Sequence, residues 1–146
     1  MTQEEKQILL ADLCARLPFK IKGVLSFDKD KEIFTIEGYE IEKESLYLSN
    51  SEGCCVDDFK PYLRSLSSMT EEEKKELSKK YVWNIWTGQI QIRYHSQGCW
   101  DDETECPTEE YIILFDWLNA HHFDYRGLIK EGLALEAPKD MYNIKN

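Results

Sequence analysis

Residues 119–126, which read Asn-Ala-His-His-Phe-Asp-Tyr-Arg, hold the side chains best suited to acid–base chemistry. A histidine can donate or accept a proton near neutral pH and an aspartate can orient it, so His121, His122 and Asp124 are the candidates for catalysis. Adjacent residues on a helix point about 100° apart, which makes it difficult for His121 and His122 to share one ligand. In the structural alternative, His122 packs in the core, His121 lies near a helix C-terminus, and Asp124 caps the next helix. We favour this interpretation and expect neither a catalytic residue nor an enzyme.

The thiols are the second set of residues with possible chemistry. The chain has five cysteines, an odd number: Cys14, Cys54, Cys55, Cys99 and Cys106. Two are adjacent and the N-terminus shows no export signal, so reduced thiols fit better than a disulfide framework. Cys99 and Cys106 are spaced more widely than zinc-finger ligands, although imidazoles could come from His95, His121 and His122. We predict no cofactor and no metal, and a Cys/His metal site stays open as an alternative.

Charge limits the classes of partner. The chain carries 28 acids and 18 bases, for a net charge of −10. This balance opposes binding to nucleic acid or to an anionic membrane surface. Residues 101–110 include six acids and no base: Asp101, Asp102, Glu103, Glu105, Glu109 and Glu110.

Trp100 comes directly before this acidic segment. An exposed tryptophan beside acids suits a protein interface, where aromatic side chains act as anchors. We therefore predict a protein-binding surface made of Trp100, Asp101, Asp102, Glu103 and Glu105. In the alternative, the acids form a solvated loop that leads into a helix N-terminus, and Trp100 folds back over the core.

A group of basic and aromatic residues supports nucleic acid, rather than protein, as the partner. In the N-terminal half, four lysines lie near three phenylalanines: Lys20, Lys22, Lys29 and Lys31, with Phe19, Phe27 and Phe34. Such a surface would let the N-terminal barrel associate with nucleic acid. A small nucleic-acid-associated barrel protein is therefore the alternative hypothesis. The overall charge makes it the weaker hypothesis.

Several other functions lack their sequence signature. The seven glycines are dispersed, and none forms a phosphate-binding loop. No Gly-x-Ser-x-Gly nucleophile motif occurs. The longest apolar run is residues 111–115, whereas a membrane-spanning helix needs about 20 residues. A cytoplasmic protein without a membrane segment is expected.

The N-terminal half is predicted to form one helix and several short strands. Thr2 and Glu5 have the spacing of a capping box, and apolar residues follow at helical spacing, so a helix should cover residues 3–16 and end before Pro18. The predicted strands are residues 19–27, 32–37, 39–42, 45–48 and 54–56. A tight helical turn within 57–63 and a final strand at 64–66 complete this half. A turn before the last strand is typical of SH3-like barrels.

The C-terminal half is predicted to contain a hairpin and three helices. Thr70 and Glu73 form a second capping box, which opens a polar and poorly buried helix that reaches about residue 80. Residues 81–94 favour a hairpin, with Thr87 and Gly88 as its turn. Thr108 starts a third helix, well buried along Tyr111, Ile112, Ile113, Leu114, Phe115, Leu118 and His122. A short fourth helix runs from Asp124 to Gly132.

Together these elements predict an α+β fold: an N-terminal helix with a small antiparallel sheet or SH3-like half-barrel, a linking helix, a hairpin and two C-terminal helices. The predicted division is 1–66, 67–80 and 81–146, with one continuous domain as the alternative. Oligomeric state is left open.

Three segments also show a resemblance. Residues 6–17 (KQILLADLCARL), 56–69 (VDDFKPYLRSLSSM) and 116–138 (DWLNAHHFDYRGLIKEGLALEAP) resemble a family of uncharacterised small cytoplasmic proteins encoded in gut bacterial genomes and prophages. The resemblance implies a cytoplasmic bacterial or phage setting and carries over no catalytic or binding residue. The missing catalytic motifs, the acidic segment and Trp100 lead us to expect a non-enzymatic, acidic protein-interaction module, an accessory or inhibitor from a mobile element.

Overall fold

A computed structural model of the chain describes residues 1–78, 82–84, 89–91, 94–95, 103–104 and 108–142. For the described residues between 82 and 110, it gives the secondary structure but not the side chains. The fold is α+β. The α-helices of the described residues are α1 (Gln3–Arg16), α2 (Glu71–Ser78) and α3 (Thr108–Ala120). The strands are β1 (Lys22–Leu25), β2 (Phe34–Glu40), β3 (Ser45–Leu48), β4 (Gly53–Cys55), β5 (Phe59–Leu63), β6 (Val82–Asn84), β7 (Gln89–Gln91), β8 (Tyr94–His95), β9 (Glu103–Thr104) and β10 (Leu135–Glu136).

Helix α1 confirms the prediction at both of its ends. Thr2 Oγ1 accepts from the backbone N–H of Glu5 at 3.1 Å, and Glu5 Oε2 accepts from the N–H of Thr2 at 2.8 Å. The helix ends at Arg16 because Pro18 follows, and residues Leu17–Phe19 form a short 3₁₀ helix. Leu9 and Leu13, one turn apart, are fully buried against the sheet.

A mixed sheet of six strands forms the centre of the fold, in the order β10-β5-β1-β2-β3-β4. Neighbours are antiparallel except β10, which lies parallel to β5 with Leu135 opposite Tyr62. A 3₁₀ helix, Val56–Asp58, connects β4 to β5. The sequence predicted an antiparallel sheet. The observed sheet is mixed, because the C-terminal strand β10 joins it in parallel.

The predicted strand boundaries shift in several places. The predicted strands 32–37 and 39–42 form one strand, β2, whose pairing with β3 is irregular between Ile36 and Gly38. The tight turn predicted within 57–63 lies at Val56–Asp58, and the last strand of this half is β5 rather than 64–66. Burial explains the shift, since Phe59, Pro61 and Leu63 alternate inward along β5. Strand β1 is shorter than the predicted 19–27, because a 3₁₀ helix takes its start and Phe27 is 67% exposed at its end.

Helix α2 begins as predicted and packs more closely than predicted. Its capping box is formed, with Thr70 N–H donating to Glu73 Oε1 at 2.9 Å and Glu73 N–H donating to Thr70 Oγ1 at 3.2 Å. Leu77 is 3% exposed and belongs to a second apolar cluster with Met69, Leu114, Leu118 and Phe123. Helix α2 thus packs with α3 rather than lying apart from the fold.

Strands β6 and β7 pair antiparallel, with Trp83 opposite Ile90, which confirms the predicted hairpin. Its predicted turn, Thr87 and Gly88, lies outside the described residues. The predicted fourth helix is wrong: residues 125–134 form turns and bends. Gly127 and Gly132 have φ angles of 74° and 75°, in the left-handed region that interrupts a helix.

The C-terminal segment packs into the main core. Leu128, Leu133 and Tyr142 belong to the same apolar cluster as Leu9 and Leu13. Within the described residues, no helix has the length and apolar character needed to cross a membrane.

Candidate functional site

The candidate site is the junction where the last turn of α1 meets residues 121–126, directly after α3. Asp12 and Arg16 lie one turn apart on α1 and are both fully buried. Arg16 Nε donates to Asp12 Oδ2 at 2.8 Å, and Nη2 donates to Oδ1 at 3.1 Å. This bidentate pair is the strongest form of a carboxylate–guanidinium contact, and it can persist in the interior because both groups are paired.

Arg16 also reaches the segment that follows α3. Its Nη2 donates to the carbonyl of Phe123 at 2.7 Å, and its guanidinium lies 5.1 Å from the centre of the Tyr125 ring. The guanidinium of Arg126 lies 5.4 Å from the same ring, and its Nε is 3.2 Å from Asp12 Oδ1. One carboxylate thus holds two arginines, one on α1 and one after α3. Arg16 Nη1 is buried and has no hydrogen-bond partner among the described residues.

A third arginine, Arg64, binds the other side of this segment. The guanidinium of Arg64 donates to Glu73 at 2.7 and 2.9 Å, and Nη1 also donates to the carbonyl of His121 at 3.3 Å. The backbones of Arg64 and residues 122–124 exchange hydrogen bonds of 2.8 Å, as in a parallel bridge. Burial alone would raise the pKa of Glu73, but the hydrogen bonds from Arg64 and the Thr70 backbone outweigh it, and the pKa is lowered.

The two histidines point to different neighbours. His121 stacks on Trp117 with ring centres 4.0 Å apart, and its Nδ1 is 2.8 Å from the Trp117 carbonyl. His122 is 8% exposed, has a φ of 63°, and stacks on Tyr142 at 3.7 Å. Burial and the charges of Arg16 and Arg64 lower the pKa of His122 to about 4, so the ring is neutral at neutral pH. His122 packs in the core, as the structural interpretation predicts.

Asp124 neither orients a histidine nor caps a helix. Its Oδ1 accepts from the N–H of Leu128 and its Oδ2 from the N–H of Ile129, both at 2.9 Å. The donors lie four and five residues later, beyond the reach of an N-cap, so the carboxylate closes a wide turn instead. The structure therefore does not bring His121, His122 and Asp124 together as an acid–base group.

Of the described thiols, Cys54 and Cys55 are consecutive residues and Cys14 lies on α1. Cys14 and Cys55 are exposed and Cys54 is half-buried. Burial, with smaller contributions from Asp58 and Cys55, raises the pKa of Cys54 to about 11, so this thiol stays protonated. Among described residues, no group of three or more His, Cys, Asp or Glu side chains could hold a metal ion. Cys99, Cys106 and the side chain of His95 lie outside that part.

The basic, aromatic set of the N-terminal half is partly used inside the fold. Phe34 is a core residue, 5% exposed. Lys22 Nζ donates to the carbonyl of Met141 at 3.3 Å and lies 5.9 Å from the Tyr142 ring centre. Of this set, Lys20, Lys29, Lys31 and Phe27 are exposed.

Most of the predicted protein-binding surface falls outside the described residues. This applies to Trp100, Asp101, Asp102 and Glu105. Glu103 lies in β9, opposite His95 on β8, and its side chain is not described. The surface stays a prediction.

Helix α3, predicted to be well buried, is buried on one side only. Leu114 and Leu118 are 1% and 2% exposed, whereas Ile112 and Ile113 are 57% and 52% exposed. Tyr111 and Phe115, each 37% exposed, flank the buried side. The prediction was wrong because the apolar positions of this helix extend beyond the width that the second cluster covers.

Sequence reasoning missed the charged residues of the junction. Asp12 and Arg16 carried a usable signal, since they lie four residues apart on the side of α1 that also holds Leu9 and Leu13. Arg64 and Glu73 carried no comparable signal. Comparison of the chain with protein-family models, curated proteins and solved structures finds no match.

Proposed function

We propose that this protein is a non-enzymatic, acidic protein-interaction module that acts in the bacterial cytoplasm as an accessory or inhibitor from a mobile element. The observation that carries the proposal is that the charged groups of the junction are hydrogen-bonded to other groups of this chain. Arg16 and Arg64 bind backbone carbonyls and buried carboxylates, and Asp124 closes a turn. These groups stabilise the chain, which leaves recognition at the surface as the better-supported role.

The order of the sheet supports a compact scaffold for such a role. Strands β5-β1-β2-β3-β4 are consecutive neighbours, and a 3₁₀ helix precedes β5. This arrangement favours the SH3-like half-barrel as the description of residues 1–66. The analogy concerns the fold alone.

The partner-binding surface belongs to the same proposal. Residues 101–110 hold six carboxylates and no base, and Trp100 precedes them. A basic protein surface complements this charge, whereas nucleic acid does not. Trp100, Asp101, Asp102, Glu103 and Glu105 are the residues that we assign to it.

Affinity capture with a charge-reversed variant tests the proposal. The tagged wild-type protein and the triple variant Asp101→Lys, Asp102→Lys, Glu103→Lys are compared in lysate of the bacterial host, with and without nuclease treatment. The reversal raises the net charge from −10 to −4, since each substitution adds two charges. A partner that the wild type retains near stoichiometry should be lost by the variant.

A matched control carries the same charge change elsewhere. Glu37, Glu42 and Glu131 are all exposed, and their replacement by lysine gives the same net charge. The control should keep the partner. Equal capture by the wild type and the reversed variant would reject the assigned surface, and capture that nuclease abolishes would favour nucleic-acid association instead.

A further inference from the structure

Helix α3 presents an outward face that no described residue covers. With about 100° between successive residues, Ile112, Ile113, Asp116 and Ala120 fall opposite the buried Leu114 and Leu118. All four are exposed, and the two isoleucines are 57% and 52% exposed. We call these four residues the α3 face.

The isoleucines make this face unusual for a solvated helix. Single exposed apolar residues are common, but contiguous apolar surface on the outside of a helix marks an interaction site. The pair is continuous with Tyr111 and Phe115 on the shoulder of the helix, each 37% exposed. A partner that covered this surface would remove its apolar area from water, which favours binding.

Charge selects the kind of partner. Helix α3 contains three acids, Glu109, Glu110 and Asp116, and no base. Asp116 lies between the two isoleucines around the helix. A second copy of this chain would bring the same acids, and like charges facing one another are unfavourable. A partner with a lysine or arginine at its centre pairs with Asp116.

The shape of the face selects a helix. Residues 112, 116 and 120 form a stripe about 12 Å long on one helix, which matches the spacing of apolar residues along a second helix. We propose that the α3 face binds an amphipathic helix of a partner protein, in which a lysine or arginine lies among apolar side chains. The inference rests on the proposed protein-interaction role and adds both the surface and the partner chemistry.

The test uses synthetic peptides and the full chain. A fluorescently labelled helical peptide of leucine and lysine, about 14 residues or four turns long, is titrated with the protein and followed by anisotropy. The same peptide with glutamate in place of lysine is the charge control. The lysine peptide should bind at least tenfold more tightly than the glutamate peptide, and salt should weaken its binding.

Two protein variants locate the binding. Ile112→Asp with Ile113→Asp should weaken binding of the lysine peptide at least tenfold. Ile33→Asp with Ile41→Asp changes two other exposed isoleucines, 50% and 81% exposed, by the same charge and should bind as the wild type does. Asp116→Lys should reduce the preference for the lysine peptide. Because all five positions are exposed, circular dichroism should show unchanged folding.

Equal binding of both peptides would reject the claim that the partner is basic. Equal effects of the two isoleucine pairs would reject the α3 face as the binding site. Self-association that Ile112→Asp with Ile113→Asp abolishes would replace the partner helix by a second copy. A partner that depends on Asp101–Glu103 in the capture experiment, together with no peptide binding here, would reject this inference and leave the proposed function standing.

Discussion

Arg16 donates a hydrogen bond of 2.7 Å to the carbonyl of Phe123, although 107 positions separate the two residues. The same guanidinium binds Asp12 one turn earlier on α1. One buried side chain therefore holds the N-terminal helix against the segment that follows α3. Because this contact lies in the interior, loss of the arginine would remove a hydrogen bond from the Phe123 carbonyl and leave Asp12 with Arg126 as its charged partner.

Replacement of Arg16 by methionine should strongly destabilise the protein. Asp12 would keep only Arg126 as a charged partner, and the Phe123 carbonyl would lose the hydrogen bond from Arg16. Removal of one partner of a buried pair costs about 3–5 kcal/mol, and we expect the lower end because Arg126 remains. The free energy of unfolding in urea at neutral pH measures this.

The double variant Asp12→Leu with Arg16→Met is the control for this prediction. It removes both charges and fills the space with apolar side chains, so it should be more stable than the single Arg16→Met variant. If the free energy of unfolding of Arg16→Met lay within about 1 kcal/mol of the wild-type value, the assigned role of Arg16 would be contradicted.

Glu73 should make stability dependent on pH in the acid range. Its folded-state pKa lies below the ordinary value, so its contribution is full above that value and is lost as the pH falls through the folded-state pKa. The stability difference between the wild type and Glu73→Gln should therefore shrink as the pH is lowered from about 6 to about 3. Urea unfolding at a series of pH values measures this difference.

Glu71→Gln serves as the control on the same helix. Glu71, like Glu73, pairs with a basic side chain, which is Lys74 at 3.2 Å, but Glu71 is 83% exposed. Its replacement should change stability little at any pH, because an exposed pair contributes little. A pH-independent difference for Glu73→Gln would show that Glu73 acts only through packing.

The elements that could be predicted from the sequence are those whose signals are local. The capping boxes at Thr2 and Thr70 place the starts of α1 and α2, because all of the interacting atoms lie within four residues. Strand β3 was predicted at its observed bounds, since Leu46 and Leu48 alternate with exposed or half-buried residues. Asp12 and Arg16 carry a similar local signal within one helix.

The remaining features depend on contacts between distant residues. Asp124 looks like an N-cap, but the Arg64 carbonyl accepts its N–H, and the following turn contains two left-handed glycines. Strand β10 has two residues and exists because β5 offers a free edge. The apolar pattern of α3 predicts burial, yet the pattern cannot say how much of the helix another element covers.

Gly23 should be intolerant of any side chain. A Cβ atom there would lie 2.3 Å from Phe59 Cζ and 2.5 Å from the Lys60 carbonyl oxygen, and the second contact is with backbone of the paired strand. Gly23→Ala should lower the free energy of unfolding by about 2–3 kcal/mol, because β1 must move away from β5. Chemical denaturation provides the measurement.

Gly38 on β2 is the matched control. A Cβ atom at this position would meet only Tyr47 Cδ2, at an ordinary contact distance of 3.8 Å. Gly38→Ala should leave stability within about 1 kcal/mol of the wild type. Equal effects of the two substitutions would mean that the β1–β5 approach is not as close as the structure has it.

His122 should make the protein less stable as the pH falls from about 6.5 to about 4. Its folded-state pKa is lowered from 6.5 to about 4, so the unfolded chain takes up the proton first and is favoured in this window. The expected loss of stability is about 3 kcal/mol, at about 1.4 kcal/mol for each unit of pKa.

The control variant His122→Asn removes the titration. It suits the φ of 63° at this position, since asparagine tolerates the left-handed region. Urea unfolding of both proteins across this pH range measures the difference, in which the contribution of Glu73, present in both proteins, cancels. Parallel stability curves for the wild type and His122→Asn would show that His122 is not buried among Arg16, Arg64 and Tyr142.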